Sequence, residues 1–223
     1  MKVEPGTIVV WSDIACPWAT AAMHNLHAAR ARLGLEGTVT FDHRAFPLEL
    51  LNSRPTPKAI IDAEVPVVGA LAVDFGFAIG TCDPAAYPST VLLALEAVQA
   101  AKEQSLAASD RLDLALRRAM FAQGRHVGMR HVVLDVAAKV PEVDAVALEA
   151  ALDDGRGRRA VIDQWRAVPD ANIQGSPHLF LPDGTDLHNP GVTMHWVGSK
   201  PGGFPVIDTY DPSVYEDIIT RAK

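Results

Sequence analysis

Cysteine is scarce in this chain: only Cys16 and Cys82 occur among 223 residues. A small fold stapled by several bridges is thereby excluded, and a single structural disulfide is not expected either, so each cysteine needs its own explanation. Basic residues are also in deficit. Twenty Lys and Arg stand against 27 Asp and Glu, a formal charge of −7, so there is no overall positive field to attract a phosphate backbone, and nucleic acid is not the expected partner. No apolar run approaches the roughly 20 residues of a membrane span. The opening stretch, Met1 to Val10, has one lysine and then an acidic, Pro-Gly broken segment, which differs from the basic-then-apolar pattern of a secretory leader. The expected location is cytoplasmic, without membrane attachment. Internal repeats and low-complexity tracts are missing too.

What is present is an ordinary globular composition, 48% hydrophobic and 21% charged, in a chain long enough to fill a core. Thr7 to Trp11 is a β-branched run. It is followed by the turn Ser12 to Pro17 and an alanine-rich helical stretch to Arg32, with Gly34 beyond it. Val39, Phe41 and His43 alternate toward Arg44 as a second strand, so the unit is βαβ and its strands are expected to be parallel. From about Asn52 prolines interrupt the pattern, leaving a short helix Lys58 to Ala63 in a segment otherwise read as irregular. Helical faces then recur: Val91, Leu95 and Val98; Leu112, Leu116, Ala119 and Met120; Val132, Val133, Val136 and Val140; Leu148 and Leu152 behind an Asp144 cap; Val161, Ile162, Trp165 and Val168.

Strand signals return near Asn172. His178 to Leu181, the turn Pro182-Asp183-Gly184-Thr185 and a strand through about Leu187 read as an antiparallel pair. Val206 to Thr209 is expected as an edge strand, and Asp211-Pro212 as the cap and first residue of a final helix. The class is α/β. One mixed sheet built from residues 1–52 and 170–223 is expected, with an all-α insertion subdomain at 53–169.

Cys16 falls where the first strand turns into the first helix, and Pro17 suits the first helical position. As N-cap, its sulfur would meet the free N–H groups of Trp18 and Ala19 and the positive end of the helix dipole. A lowered thiol pKa is therefore expected. Taken alone, a lone cysteine in such a chain is a small buried hydrophobe.

The string Asp13-Ile14-Ala15-Cys16-Pro17-Trp18-Ala19 resembles the active-site turn of the DsbA-like thioredoxin-fold oxidoreductases, FrnE-like ones included, which carry Cys-Pro-Trp-Cys or a close relative there. Gly175-Ser176-Pro177-His178 stands where that family has its cis-proline loop, and the helical block between the two motifs matches the family's all-α insertion. The resemblance implies a thioredoxin-like fold, Cys16 as catalytic thiol, and Pro17, Trp18, Ser176 and Pro177 as substrate-binding residues, with Pro177 cis and its loop against the sulfur. It departs from the family at Ala19, where dithiol members have the resolving cysteine. Cys16 is thus expected to work as a single thiol in a disulfide oxidoreductase or isomerase. An external thiol such as glutathione, acting as co-substrate and not as a tightly bound cofactor, would resolve its mixed disulfides. Partners would be thiol- or disulfide-containing proteins or small molecules, and a homodimer is left open.

Two other functions fit the same layout. Kappa-class glutathione transferases and hydroxychromene-carboxylate isomerases resemble it, usually with serine where Cys16 stands, and a non-catalytic binding module would keep the fold and lose the redox pair. Cys82 reads as inert, with resolution of Cys16 as its lesser alternative. His24 and His27 lie one helical turn apart, but without Cys-x-x-Cys or His-Glu-x-x-His no metal site is expected. His178 and His195 read as loop hydrogen-bonding residues. Gly198, Gly202 and Gly203 form a loop and not a phosphate cradle, since no Gly-Lys-Ser/Thr follows.

Overall fold

The structure, a computed structural model, describes residues 1–78, 84 and 87–223. Strand β1 (Thr7–Ser12) leads through a tight turn into α1 (Pro17–Arg32), which ends at Leu33 with Gly34 in the left-handed region beyond it. Strand β2 (Thr40–Ala45) then returns parallel to β1. Much later β3 (His178–Phe180) inserts antiparallel on the other side of β1, and β4 (Asp186–His188) pairs antiparallel with β3. The order β2-β1-β3-β4 makes the sheet mixed, as expected from the sequence.

Strand alternation decides which side chains each sheet face buries. Ile8 and Val10 point with Phe41 and Leu179 toward α1 and the final helix α9 (Val214–Ala222), against Met23, Leu26, Ile218 and Ile219. Val9, Trp11 and Phe180 point the other way, onto Val3, Phe46 and Val168. Each such fully buried aliphatic or aromatic side chain contributes on the order of 1.5–3 kcal/mol.

Between the two halves of the sheet lie α2 (Leu48–Leu51), α3 (Lys58–Gly69), a 3₁₀ turn at Val73–Phe75, α4 (Leu92–Ala101), α5 (Leu106–Phe121), α6 (Arg130–Ala137), α7 (Ala145–Asp153) and α8 (Arg156–Ala167). The apolar stripes read from the sequence form their shared core. Leu95, Val98, Leu112, Leu116, Val133, Val136, Leu148 and Val161 all belong to it, and Asp144 caps α7 through the N–H groups of Val146 and Ala147. Helix α3 is longer than its sequence signal. It continues past Ala63 and carries Pro66 internally, its later turns held by burial of Val65 and Val68. Among the described residues no helix is long and apolar enough to cross a membrane.

Two expectations near the C-terminus need correction. Val206 to Thr209 does not edge the main sheet: β6 (Phe204–Tyr210) pairs with β5 (Val192–Val197) in a separate two-stranded sheet. The reason is packing, since Val192, Met194, Ile207 and Tyr210 lie against the helical core, while polar Thr193 and His195 on the outer face masked β5 in the sequence. Helix α9 also starts later than expected. Asp211 Oδ1 accepts from the N–H of Ser213 (2.9 Å) and from its Oγ (2.6 Å), making a turn before the helix so that Ser213, and not Asp211, is the cap.

Candidate active site

Cys16 is the N-cap of α1, with Pro17 as first helical residue. Its Sγ accepts from the Ala19 N–H at 3.4 Å and donates to the main-chain oxygen of Ser176 at 3.1 Å. The Ser176–Pro177 peptide is cis. A second tie runs alongside, because the Asp13 N–H donates to Ser176 Oγ at 2.9 Å. The structure therefore brings together the two segments singled out by the sequence. Cys16, Pro17 and Trp18 line an open cleft of about 270 Å³ together with Leu48, Arg54, Thr56, Ile60, Glu64 and Lys200. Ser176 touches the sulfur, whereas Pro177 is buried and does not line the cleft.

The expected thiolate is not what this environment favours. Burial pushes the Cys16 thiol up to about 11, the Glu64 carboxylate adds to the rise, and the Ala19 N–H and Ser176 offset it only in part. Of the two helix N–H groups expected to meet the sulfur, only that of Ala19 does, at a long distance, and the residue is only 6% exposed. Desolvation outweighs the helix terminus here. Glu64 is itself 7% exposed, and burial raises its pKa against the pull of Trp18 and Lys200.

The turn that presents Cys16 is built around Asp13. Its Oδ1 accepts from Ala15 N–H and its Oδ2 from Leu48 N–H, both at 2.7 Å. Its main-chain oxygen accepts from Arg117 Nη1 at 2.9 Å. Arg117 is fully buried. It also reaches Ser12 Oγ at 2.8 Å and forms two bonds to Asp113, of 2.7 and 3.0 Å. Burial pushes the Asp13 carboxyl up to about 6, while its two backbone donors and Arg117 hold it down in part.

The buried ionic chain continues away from the cleft. Asp110 meets His27 and His43 at 3.0 Å each and Arg30 at 3.1 Å, contacts that hold its carboxyl far below the usual range despite burial. His27 is thus committed to the core, and His24 stacks edge-on against Phe75. His195 pairs with Asp208 on the exposed side of the hairpin. Cys82 lies outside the described residues. Sequence reasoning missed Glu64, Arg117 and Lys200 as neighbours of the site. Of these only Arg117 left a local signal, four residues after Asp113 on one helix face.

Comparison with known proteins agrees with this fold. The family profile described as DSBA-like thioredoxin domain matches residues 7–201. By sequence, no curated protein matches the chain. Among solved structures, a probable DsbA oxidoreductase from Streptomyces coelicolor is similar at 20% identity and a TM-score of 0.69, over 97% of this chain and 89% of that one. The cytosolic disulfide reductase DsbM from Pseudomonas aeruginosa is similar at 17% identity and 0.61, over 96% and 97%. A 2-hydroxychromene-2-carboxylate isomerase is similar at 17% and 0.57, over 81% and 87%. At these identities the likeness is one of fold.

Proposed function

The chain belongs to the DSBA-like thioredoxin domain family, and on that premise we propose that it is a thiol–disulfide exchange enzyme working through the single thiol of Cys16. The observation that carries this reading is the contact of Cys16 Sγ with the Ser176 oxygen beside Pro177, with Cys16 also lining an open cleft of about 270 Å³. Ala19 supplies no resolving sulfur, so an external thiol completes the cycle. Cys16 thiolate attacks a substrate disulfide, forming a mixed disulfide and releasing one substrate thiolate. A first external thiolate displaces the second substrate thiolate by taking its place on Cys16, and a second one then leaves as the external disulfide and frees Cys16. One substrate disulfide and two external thiols become two substrate thiols and one external disulfide.

The raised thiol pKa bears on direction. At pH 7 the raised pKa leaves less of Cys16 ionised than a free thiol would be, and the greater intrinsic nucleophilicity of its thiolate recovers only part of that loss, so attack is slowed. A sulfur that is costly to ionise is also a poor leaving group, so its disulfides persist, and reduction or isomerisation of substrates is favoured over their oxidation. Glutathione is the proposed external thiol and the cytoplasm the proposed setting. Insulin reduction by glutathione, compared between the wild type and Cys16→Ser, tests the reading. Acceleration that depends on Cys16 is expected, and equal rates with and without the cysteine would overturn it.

The thiol form of Cys16, a hydrogen-bond donor where related isomerases have serine, favours a second reading: glutathione-dependent chemistry on a small molecule, in which Cys16 donates to a bound sulfur. Its mark is thermal stabilisation by reduced glutathione that survives in Cys16→Ser.

A further inference from the structure

The geometry points to His178 as a positioning residue that sets the Ser176 loop against the reactive sulfur. The inference rests on the reading of Cys16 given above, and it concerns a side chain that never touches the cleft. His178 is fully buried at the first position of β3. Its Nδ1 lies 3.0 Å from the main-chain nitrogen of Gln174, and its Nε2 lies 3.0 Å from Asp186 Oδ1. Since the Gln174 N–H can only donate, Nδ1 must be the unprotonated acceptor, and Nε2–H donates to Asp186. The ring stacks on Phe180 with centroids 4.8 Å apart and only 6° between planes, and His188 flanks it at 6.2 Å.

These contacts pin both ends of a short loop. Gln174 is fastened to the imidazole, and Pro177 oxygen accepts from the Asn189 N–H at 3.0 Å. Between them, Gly175 sits so close to His188 that an added Cβ would come within 2.5 Å of its Nε2. Ser176, next in the chain, is left with its oxygen on Cys16 Sγ and its Oγ on the Asp13 N–H. The strand pair β3–β4 thus acts as an anvil, and His178 ties the loop to it through one acceptor nitrogen.

Two readouts that need no substrate test this: hydrogen exchange of the Gln174 amide and the alkylation rate of Cys16. His178→Leu removes the acceptor, and both rates are expected to rise about tenfold, the factor that goes with loss of one such hydrogen bond. His178→Asn places an amide oxygen near the Nδ1 position and is expected to restore both rates to near the wild-type values. Asp186→Ala lets the ring carry its proton on Nδ1 and is expected to shift both rates the same way by a smaller factor. This exposed-side substitution also serves if His178→Leu does not fold. Wild-type rates in folded His178→Leu, an Asn variant as fast as the Leu variant, or unchanged rates in Asp186→Ala would each overturn the assignment. Absence of disulfide-exchange activity would count against the proposed function and leave these measurements standing.

Discussion

Arg117 Nη1 donates to the main-chain oxygen of Asp13 at 2.9 Å, joining the middle of helix α5 to the turn that carries Cys16 across 104 positions of sequence. The guanidinium is fully buried and shared among Asp113, Ser12 and Asp13, so its removal strands a buried carboxylate as well as a backbone acceptor. Arg117→Met is expected to lose about 3–5 kcal/mol of stability in urea unfolding. Adding Asp113→Leu, which deletes the stranded charge, should recover part of that loss. Additive destabilisation in the double variant would show that the pair is not the source.

Cys16 should titrate late. Thiolate absorbance against pH is expected to give an apparent pKa near 11. Glu64→Gln, by removing the buried carboxylate that opposes thiolate formation, should move the value downward. The folded pKa lies above that of the free thiol, so the folded state favours the protonated sulfur. The contribution of this group to stability is therefore fully present below pH 9.0 and is lost as pH rises through about 11. An apparent value at or below that of an unperturbed cysteine would contradict the desolvation argument.

Asp13 makes a second pH signature. Its carboxyl rises from 3.8 to about 6 on folding, so the folded state holds this proton more tightly than the unfolded chain. Its contribution is fully present below pH 3.8 and is lost as pH climbs through 6, to the extent of roughly 3 kcal/mol. Because Asp110 and Asp113 shift the opposite way, the quantity to measure is the stability difference between wild type and Asp13→Asn. That difference is expected to move against the wild type between pH 4 and 6, and a flat difference across this window would refute the shift.

Ala19 is fully buried in the first turn of α1, with its N–H on Cys16 Sγ. Ala19→Cys recreates a Cys-Pro-Trp-Cys sequence at a site where one added sulfur costs on the order of 1–3 kcal/mol. Diamide treatment is expected to form an intramolecular disulfide, visible as the loss of two hydrogens by mass spectrometry. Insulin reduction should then become less dependent on the external thiol concentration. Two free thiols after oxidation would mean that the turn does not bring residues 16 and 19 into bonding range.

The sheet and the helical core were legible because their signals are local: Thr7 to Trp11 is a β-branched run, Val39, Phe41 and His43 alternate with polar residues, and Leu112, Leu116 and Ala119 recur along one helix face. The meeting of Cys16 with Ser176 was legible only through the resemblance carried by two motifs, since nothing in spacing alone joins positions 160 apart. Strand β5 escaped because its outer face is polar, and the later turns of α3 because Pro66 reads as a stop. The direction of the Cys16 shift escaped for another reason. A helix N-terminus can be read from Cys16-Pro17, but the solvent removed from around the sulfur by Trp18, Glu64 and the Ser176 loop is a property of the assembled chain.

A sulfur that keeps its proton also weathers oxidants. Peroxide attacks the ionised form, and burial, by raising the Cys16 pKa, disfavours that form at neutral pH. The burial that opposes ionisation of Cys16 is therefore expected to slow its climb up the sulfenic and sulfinic ladder as well.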